Sequence, residues 1–176
     1  MADRVRGEKD DLLPTANRQL TTSASDIDLM TNEITVRELT LEDYDRWMSV
    51  WQRAGLHSVR PHGRDSRQAF ARQFASGTHT MIGLELNGEL IAVVLATHDG
   101  RKGWINRLAV LPEHRHRGYA TRLIAEAERV LQAQGITVIA ALIEPGNTAS
   151  FALFRKLGYV ELPGMHYVSK RDSSAS

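Results

Sequence analysis

Trp104-Ile105-Asn106-Arg107-Leu108-Ala109-Val110, then Leu111-Pro112-Glu113-His114, then Arg115-His116-Arg117-Gly118-Tyr119-Ala120-Thr121, then an amphipathic run to Gln134: this stretch decides the fold. It reads as a strand, a tight basic glycine turn and a helix. The turn carries chemistry. A helix start leaves main-chain N–H groups without intrahelical partners, at the positive end of the helix dipole. Gly118 has no Cβ and Ala120 is nearly as small, so a ligand can approach the backbone closely. Arg115, His116 and Arg117 surround those groups with further donors. Together they suit a phosphate or pyrophosphate. A solvated basic turn that uses glycine only for its geometry is the plainer alternative.

Downstream the spacing gives a second set of small and aromatic residues: Asn147, Ser150, Phe154, Lys156, Gly158 and Tyr159. With Val110, Leu111 and Pro112 before Arg115, Gly118 and Ala120, the two sets resemble the paired signatures of the GNAT superfamily, the N-acyltransferases that use acetyl-CoA. The resemblance runs from about Ile34 to Lys170. It implies an α/β fold whose mixed, mostly antiparallel sheet has about seven strands, with four helices and the two central strands splayed. It implies an N-acetyltransferase that moves the acetyl group of acetyl-CoA directly onto a primary amine of a small molecule, a peptide or a protein. Acetyl-CoA is then the co-substrate. A domain that binds acyl-CoA as a sensor or interaction module without turnover is the alternative.

Outward from this stretch, the chain divides into a polar leader (1–32), expected to be flexible, a domain (33–170) and a frayed tail (171–176). Ile34–Glu38 alternates as a first strand. Thr40 caps a helix from Leu41 to Gly55, with Tyr44, Trp47, Met48, Trp51 and Ala54 on one face. After a loop rich in Arg and His, Asp65 is expected to cap a second helix bearing Phe70 and Phe74, with Gln68 at the capping-box position. Thr80–Leu86 and Glu89–Thr97 are strands joined by Asn87-Gly88, a type I′ hairpin signal. Asp99-Gly100 turns the chain into the central strand, completing an antiparallel meander. The helix after Gly118 directs Leu123, Ile124, Ala127, Val130 and Leu131 inward. Ile136–Ile143, almost wholly apolar, is expected as a strand parallel to the central one and buried on both faces. Asn147 caps a last helix that Gly158 ends. Tyr159–Leu162 and Met165–Ser169 read as a final strand pair broken at Pro163-Gly164.

Composition narrows the classes. The 176 residues suffice for one domain with a real core. A formal charge of +1 gives no case for nucleic-acid or membrane partners. The absence of cysteine rules out disulfides, thiolate metal ligands and a cysteine nucleophile. No metal is expected, and neither a spanning segment nor a signal-peptide core is visible. The expected location is therefore cytoplasmic; a homodimer is left open.

The site residues follow from the resemblance. The pantetheine arm would pair with main-chain groups of Leu108, Ala109 and Val110. The pyrophosphate would sit on N–H groups from His116 through Arg117, Gly118, Tyr119 and Ala120 to Thr121. Arg115 would hold either the loop or a phosphate, and position alone leaves both open. Asn147 and Phe154 belong to the cofactor side. The segment between the first two helices would line the acceptor site, making Arg60, His62, Arg64 and Asp65 candidate substrate contacts. Its Arg and His content favours an anionic acceptor; local capping and pairing is the alternative role for those side chains.

Proton transfer is less settled. A lysine-like amine is only about one part in a thousand neutral at pH 7, so its proton must be removed. The resemblance places an acidic residue on the central strand and a tyrosine in the last helix. This chain has Asn106 and Phe154 there, and neither moves a proton. Asn106 is left to bind or orient the substrate. Glu144, Tyr167 and His166 remain as catalytic candidates, or water carries the proton.

Overall fold

The computed structural model describes residues 33–170; the expected leader (1–32) and tail (171–176) lie outside them. Among the described residues the elements are β1 (Ile34–Glu38), α1 (Tyr44–Arg53), α2 (Arg67–Ala75), β2 (His79–Leu86), β3 (Glu89–His98), β4 (Gly103–Val110), α3 (Tyr119–Ala133), β5 (Ile139–Ala141) and α4 (Thr148–Lys156). Short 3-10 turns precede α1 and follow β4. One sheet runs in the order β1-β2-β3-β4-β5. Its pairs are antiparallel except the last, where β5 runs parallel to β4.

Local chemistry explains the connections. Asn87 and Gly88 take φ of 51° and 81°, the left-handed pair that a type I′ turn needs. Thr40 and Asp43 form a reciprocal capping box ahead of α1. Three helices end alike. Gly55, Gly135 and Gly158 follow α1, α3 and α4 in the left-handed conformation. In each, the glycine N–H and the N–H after it bond back to the third- and fifth-preceding carbonyls respectively, which is the Schellman arrangement. In α4 this motif brings Tyr159 against Phe154, edge to face at 4.9 Å.

The core lies on both faces of β3, whose residues Leu90–Ala96 are all buried. Trp47, Trp51 and Phe70 are essentially inaccessible and join Tyr44 and Phe74 in a cluster of edge-on and tilted rings between α1 and α2. Leu123, Ile124, Ala127, Val130 and Leu131 of α3 are buried, as their spacing predicts. Gly103 admits this helix to the sheet, since a Cβ there would lie 2.8 Å from Leu131 Cδ1. At the β1 edge, Arg37 and Arg46 both bridge Asp43 and Glu85 at 2.8–3.0 Å. The bond from Arg37 is the chief reason that both carboxyls titrate below their usual range.

Three expectations are corrected. The sheet has five strands among the described residues, not about seven: Tyr159–Leu162 and Met165–Ser169 form none. A strand needs a ladder partner, and β5 pairs through only three residues. Pro163 lacks an N–H and Gly164 sits at φ 83°, which interrupts any ladder. Val160, Leu162, Met165, Tyr167 and Val168 are left 65–87% exposed. Second, β5 covers only Ile139–Ala141 and is not buried on both faces; Val138 and Leu142 beside it are half exposed or more. Third, Ser66 rather than Asp65 caps α2, its Oγ accepting from Ala69 N–H at 3.2 Å. Asp65 turns inward, for a reason that lies in the site.

Candidate active site

The parallel pair opens as it runs. β4 and β5 are laddered only from Gly103–Ile105 against Ile139–Ala141. From Asn106 through Leu108, Ala109 and Val110, that edge of β4 has no strand partner among the described residues. The open backbone leads to the glycine turn. Arg115 braces the loop: Nε donates to Val110 O at 3.1 Å and Nη2 to Ala54 O at 3.0 Å, tying the turn to the ends of β4 and α1.

Beyond Arg115 the main chain is bare. His116 and Gly118 take φ of 62° and 80°, so the N–H groups do not run on from the preceding 3-10 turn. Among the described residues, the N–H groups of His116, Arg117, Gly118, Tyr119, Ala120 and Thr121 donate to no acceptor. The first bond into α3 is Arg122 N–H to Gly118 O at 3.1 Å. A Cβ built on Gly118 would meet nothing within 4 Å. The glycine is needed for its backbone conformation, and the space above it is open. Unpaired amides at a helix start, with clear approach, are the chemistry that takes an anion.

On the α1–α2 side the site is built from side chains. Arg107 sits at a bulge: Val93 faces Ala109 and Leu95 faces Asn106, so Val94 opposes two residues of β4. Arg107 takes φ of 51° there. Its guanidinium lies 5.1 Å from the Trp51 ring centroid, and the Trp51 indole N–H donates to Arg107 O at 3.1 Å. Nη2 meets Asp65 Oδ2 at 2.9 Å. This ion pair is why Asp65 does not cap α2: the carboxylate offsets a charge that would otherwise be buried alone. Asp65 also accepts Arg60 N–H at 2.7 Å and lies 3.9 Å from Arg64 Nε. Burial draws the Arg107 pKa below its ordinary value, against the opposing pull of Asp65. Arg107 Nη1 is buried without a partner.

The structure therefore gathers Arg60, Arg64 and Asp65 of the expected acceptor segment around one residue the sequence reading missed. The signal was there: Asn106-Arg107 is a polar pair that breaks the alternation of an apolar strand, as a bulge does. His62 is exposed. Asn106 is tied into the sheet, its Nδ2 donating to Thr97 Oγ1 at 2.9 Å. Phe154 is buried against Tyr159. Burial and the hydrogen bond to Glu128 hold the Tyr159 phenol protonated far above neutrality. Asn147 Oδ1 caps α4, accepting from Ser150 N–H at 3.1 Å. Glu144 is exposed just past β5, where the parallel strands have parted. His166 and Tyr167 lie on the exposed segment outside the sheet. His79, half-buried on β2 opposite Thr97, is drawn below its usual pKa by burial and then by His98, so it is neutral at pH 7.

Known proteins define the class. The acetyltransferase (GNAT) family matches residues 36–159, and the chain belongs to that family. It is an acyltransferase by membership. An acetyltransferase of Pectobacterium atrosepticum is 29% identical over 124 residues, 70% of this chain and 86% of that relative. Among solved structures, the aminoglycoside N-acetyltransferase AAC(6')-Iy bound to a CoA bisubstrate analogue superposes with a TM-score of 0.66 at 21% identity, over 79% of this chain and 99% of that one. The PaiA N-acetyltransferase from Thermoplasma acidophilum, in complex with coenzyme A, gives 0.62 at 20% identity over 71% and 88%. These likenesses establish the mixed-sheet, four-helix GNAT fold. Among the described residues no helix is long and apolar enough to cross a membrane.

Proposed function

We propose that the chain transfers the acetyl group of acetyl-CoA directly to a primary amine. The observation that carries the reading is the run of unpaired N–H groups from His116 to Thr121 under open space, in a chain whose family acetylates. The pyrophosphate of acetyl-CoA would rest on those groups, with Arg115 bracing the loop rather than touching phosphate. The pantetheine arm would lie along the open edge of β4 and pair with main-chain groups of Leu108, Ala109 and Val110. The bulge at Arg107 would turn the strand at the point the thioester reaches.

Attack by the amine nitrogen forms the amide bond, breaks the carbon–sulfur bond and releases the CoA thiolate. Holding both reactants supplies much of the rate. The ammonium proton must leave first. Glu144, a carboxylate at the carboxyl end of β5, is the candidate base, acting directly or through water. His166 and Tyr167 serve only if their segment packs toward the site. Neither Phe154 nor Asn106 takes part in proton transfer.

Thiol release from acetyl-CoA over amino acids, polyamines, aminoglycosides and peptides tests the activity. Release with at least one class supports it; tight CoA binding without release from any would favour a sensor. Glu144→Gln should lower kcat about 100-fold and remove the acidic limb of the pH profile. An unchanged profile would return the proton to water.

A further inference from the structure

Resting on the acetyl-transfer reading, we infer that His79, Thr97 and Asn106 form the strip of sheet that recognises the acceptor. The acceptor brings to that strip a second N–H or O–H group and no carboxylate. The three residues share one face. His79 is paired with Thr97 across β2 and β3, and Thr97 with Trp104 across β3 and β4; paired residues lie on the same side of a sheet. Asn106, two places on from Trp104, donates Nδ2 to Thr97 Oγ1 at 2.9 Å. Glu85 lies six places along β2 from His79, hence on the same side, and bridges Arg46 of α1 at 2.8 Å. The strip therefore lies on the α1 side of the sheet and ends beside the Arg107 bulge. His79, Thr97, Trp104 and Asn106 are half-buried, whereas the adjoining Met81 and Leu95 are apolar and buried.

The hydrogen bonds fix which atoms are left for a ligand. Ser76 Oγ–H donates to Gln73 O at 2.6 Å. Its only proton is thereby used, so in the 2.8 Å contact with Thr78 it accepts and the Thr78 hydroxyl donates. Thr78 Oγ1 must then accept from His79 Nδ1–H at 3.0 Å. The neutral imidazole holds its proton on Nδ1 and presents a lone pair at Nε2. Among the described residues Nε2 has no partner, and solvent reaches it. At the other end of the strip, Asn106 Nδ2 also faces Trp104 O at 3.5 Å, which leaves Oδ1 as a second unpartnered acceptor. Between them, the Thr97 hydroxyl accepts from Asn106 and keeps its own proton. Two lone pairs and one hydroxyl proton, with an indole beside them, suit an ammonium or a hydroxyl. A carboxylate brings only acceptors and would meet lone pairs at both ends. This reverses the anionic acceptor expected from the loop before α2, where the Arg60 guanidinium donates to the carbonyls of His57 and Val59. The strip spans two strand spacings, about 10 Å, so the second group is set back from the reacting amine by up to that distance.

The test compares acceptors of one length that differ only in the far group: propylamine, propanolamine, diaminopropane and β-alanine, with their pentyl homologues. In a thiol-release assay the alcohol or the diamine of at least one length should exceed its alkylamine about 10-fold in kcat/KM, and its amino acid about 100-fold. Alcohol against diamine separates a hydroxyl from an ammonium. His79→Leu should erase the advantage through the KM of the acceptor, not that of acetyl-CoA. His79→Gln, which keeps an acceptor atom, should retain part of it. Amino acids used as well as the alcohols and diamines, or an advantage intact in His79→Leu, would overturn the inference while leaving acetyl transfer standing. Nitrogen NMR of the imidazoles in the CoA-bound protein reads the strip whether or not turnover occurs. A shift of His79 Nε2 with the alcohol or diamine and not with the amino acid supports the inference. Equal shifts, or none from any acceptor, refute it.

Discussion

Two regions flank the open edge of β4 and use opposite means. The 115–121 turn presents main chain, with the His116 and Arg117 side chains exposed and the N–H groups from His116 to Thr121 unpaired. The 59–66 loop presents side chains: Asp65 is buried and pairs with Arg107 from the bulge, while Arg60 and Arg64 fold back on main-chain carbonyls. A main-chain site, as proposed for the diphosphate, recognises what every substrate pair shares and tolerates change in its side chains. A side-chain site can be retuned for one acceptor by single substitutions.

The sharpest way to separate the two is Asp65→Ala. It strands the Arg107 charge and frees the Arg60 N–H, so stability should fall by about 3–5 kcal/mol. The surviving folded fraction should keep its CoA affinity. Urea denaturation and calorimetry measure the two effects, and a joint loss would mean the regions are not independent. Gly118→Glu is the converse. A carboxylate against the diphosphate should weaken CoA binding at least about 100-fold, or ~2.7 kcal/mol. Stability should fall by only about 1 kcal/mol, because the cost is a non-glycine residue at positive φ rather than a clash. Unchanged affinity would remove the main-chain site from the account. Arg115→Met is smaller: losing its two bonds to Val110 O and Ala54 O should cost about 1–2 kcal/mol of stability and a few-fold in CoA affinity. A large affinity loss at unchanged stability would reassign Arg115 to phosphate.

The same division explains what the sequence made legible. Main-chain features are written locally. Asn87-Gly88, Gly55, Gly135 and Gly158 each mark one conformation, and Gly118 marks the left-handed entry to α3, because positive φ is a property of one residue and its neighbours. The apolar spacing of α3 likewise named its buried face. Contacts distant in sequence were not legible. Asp65 read as a cap since Arg107, 42 positions away, was invisible as its partner. The last strand pair was expected from β-branched and aromatic residues, but propensity does not supply a ladder, and β5 offers three residues of it.

Amide hydrogen exchange resolved to single residues, with and without CoA, tests the main-chain site most directly. His116, Arg117, Gly118, Tyr119, Ala120 and Thr121, whose N–H groups are unpaired without ligand, should exchange rapidly in the free protein and slow together on binding. Binding that leaves those amides exchanging as before, with protection elsewhere, would contradict it.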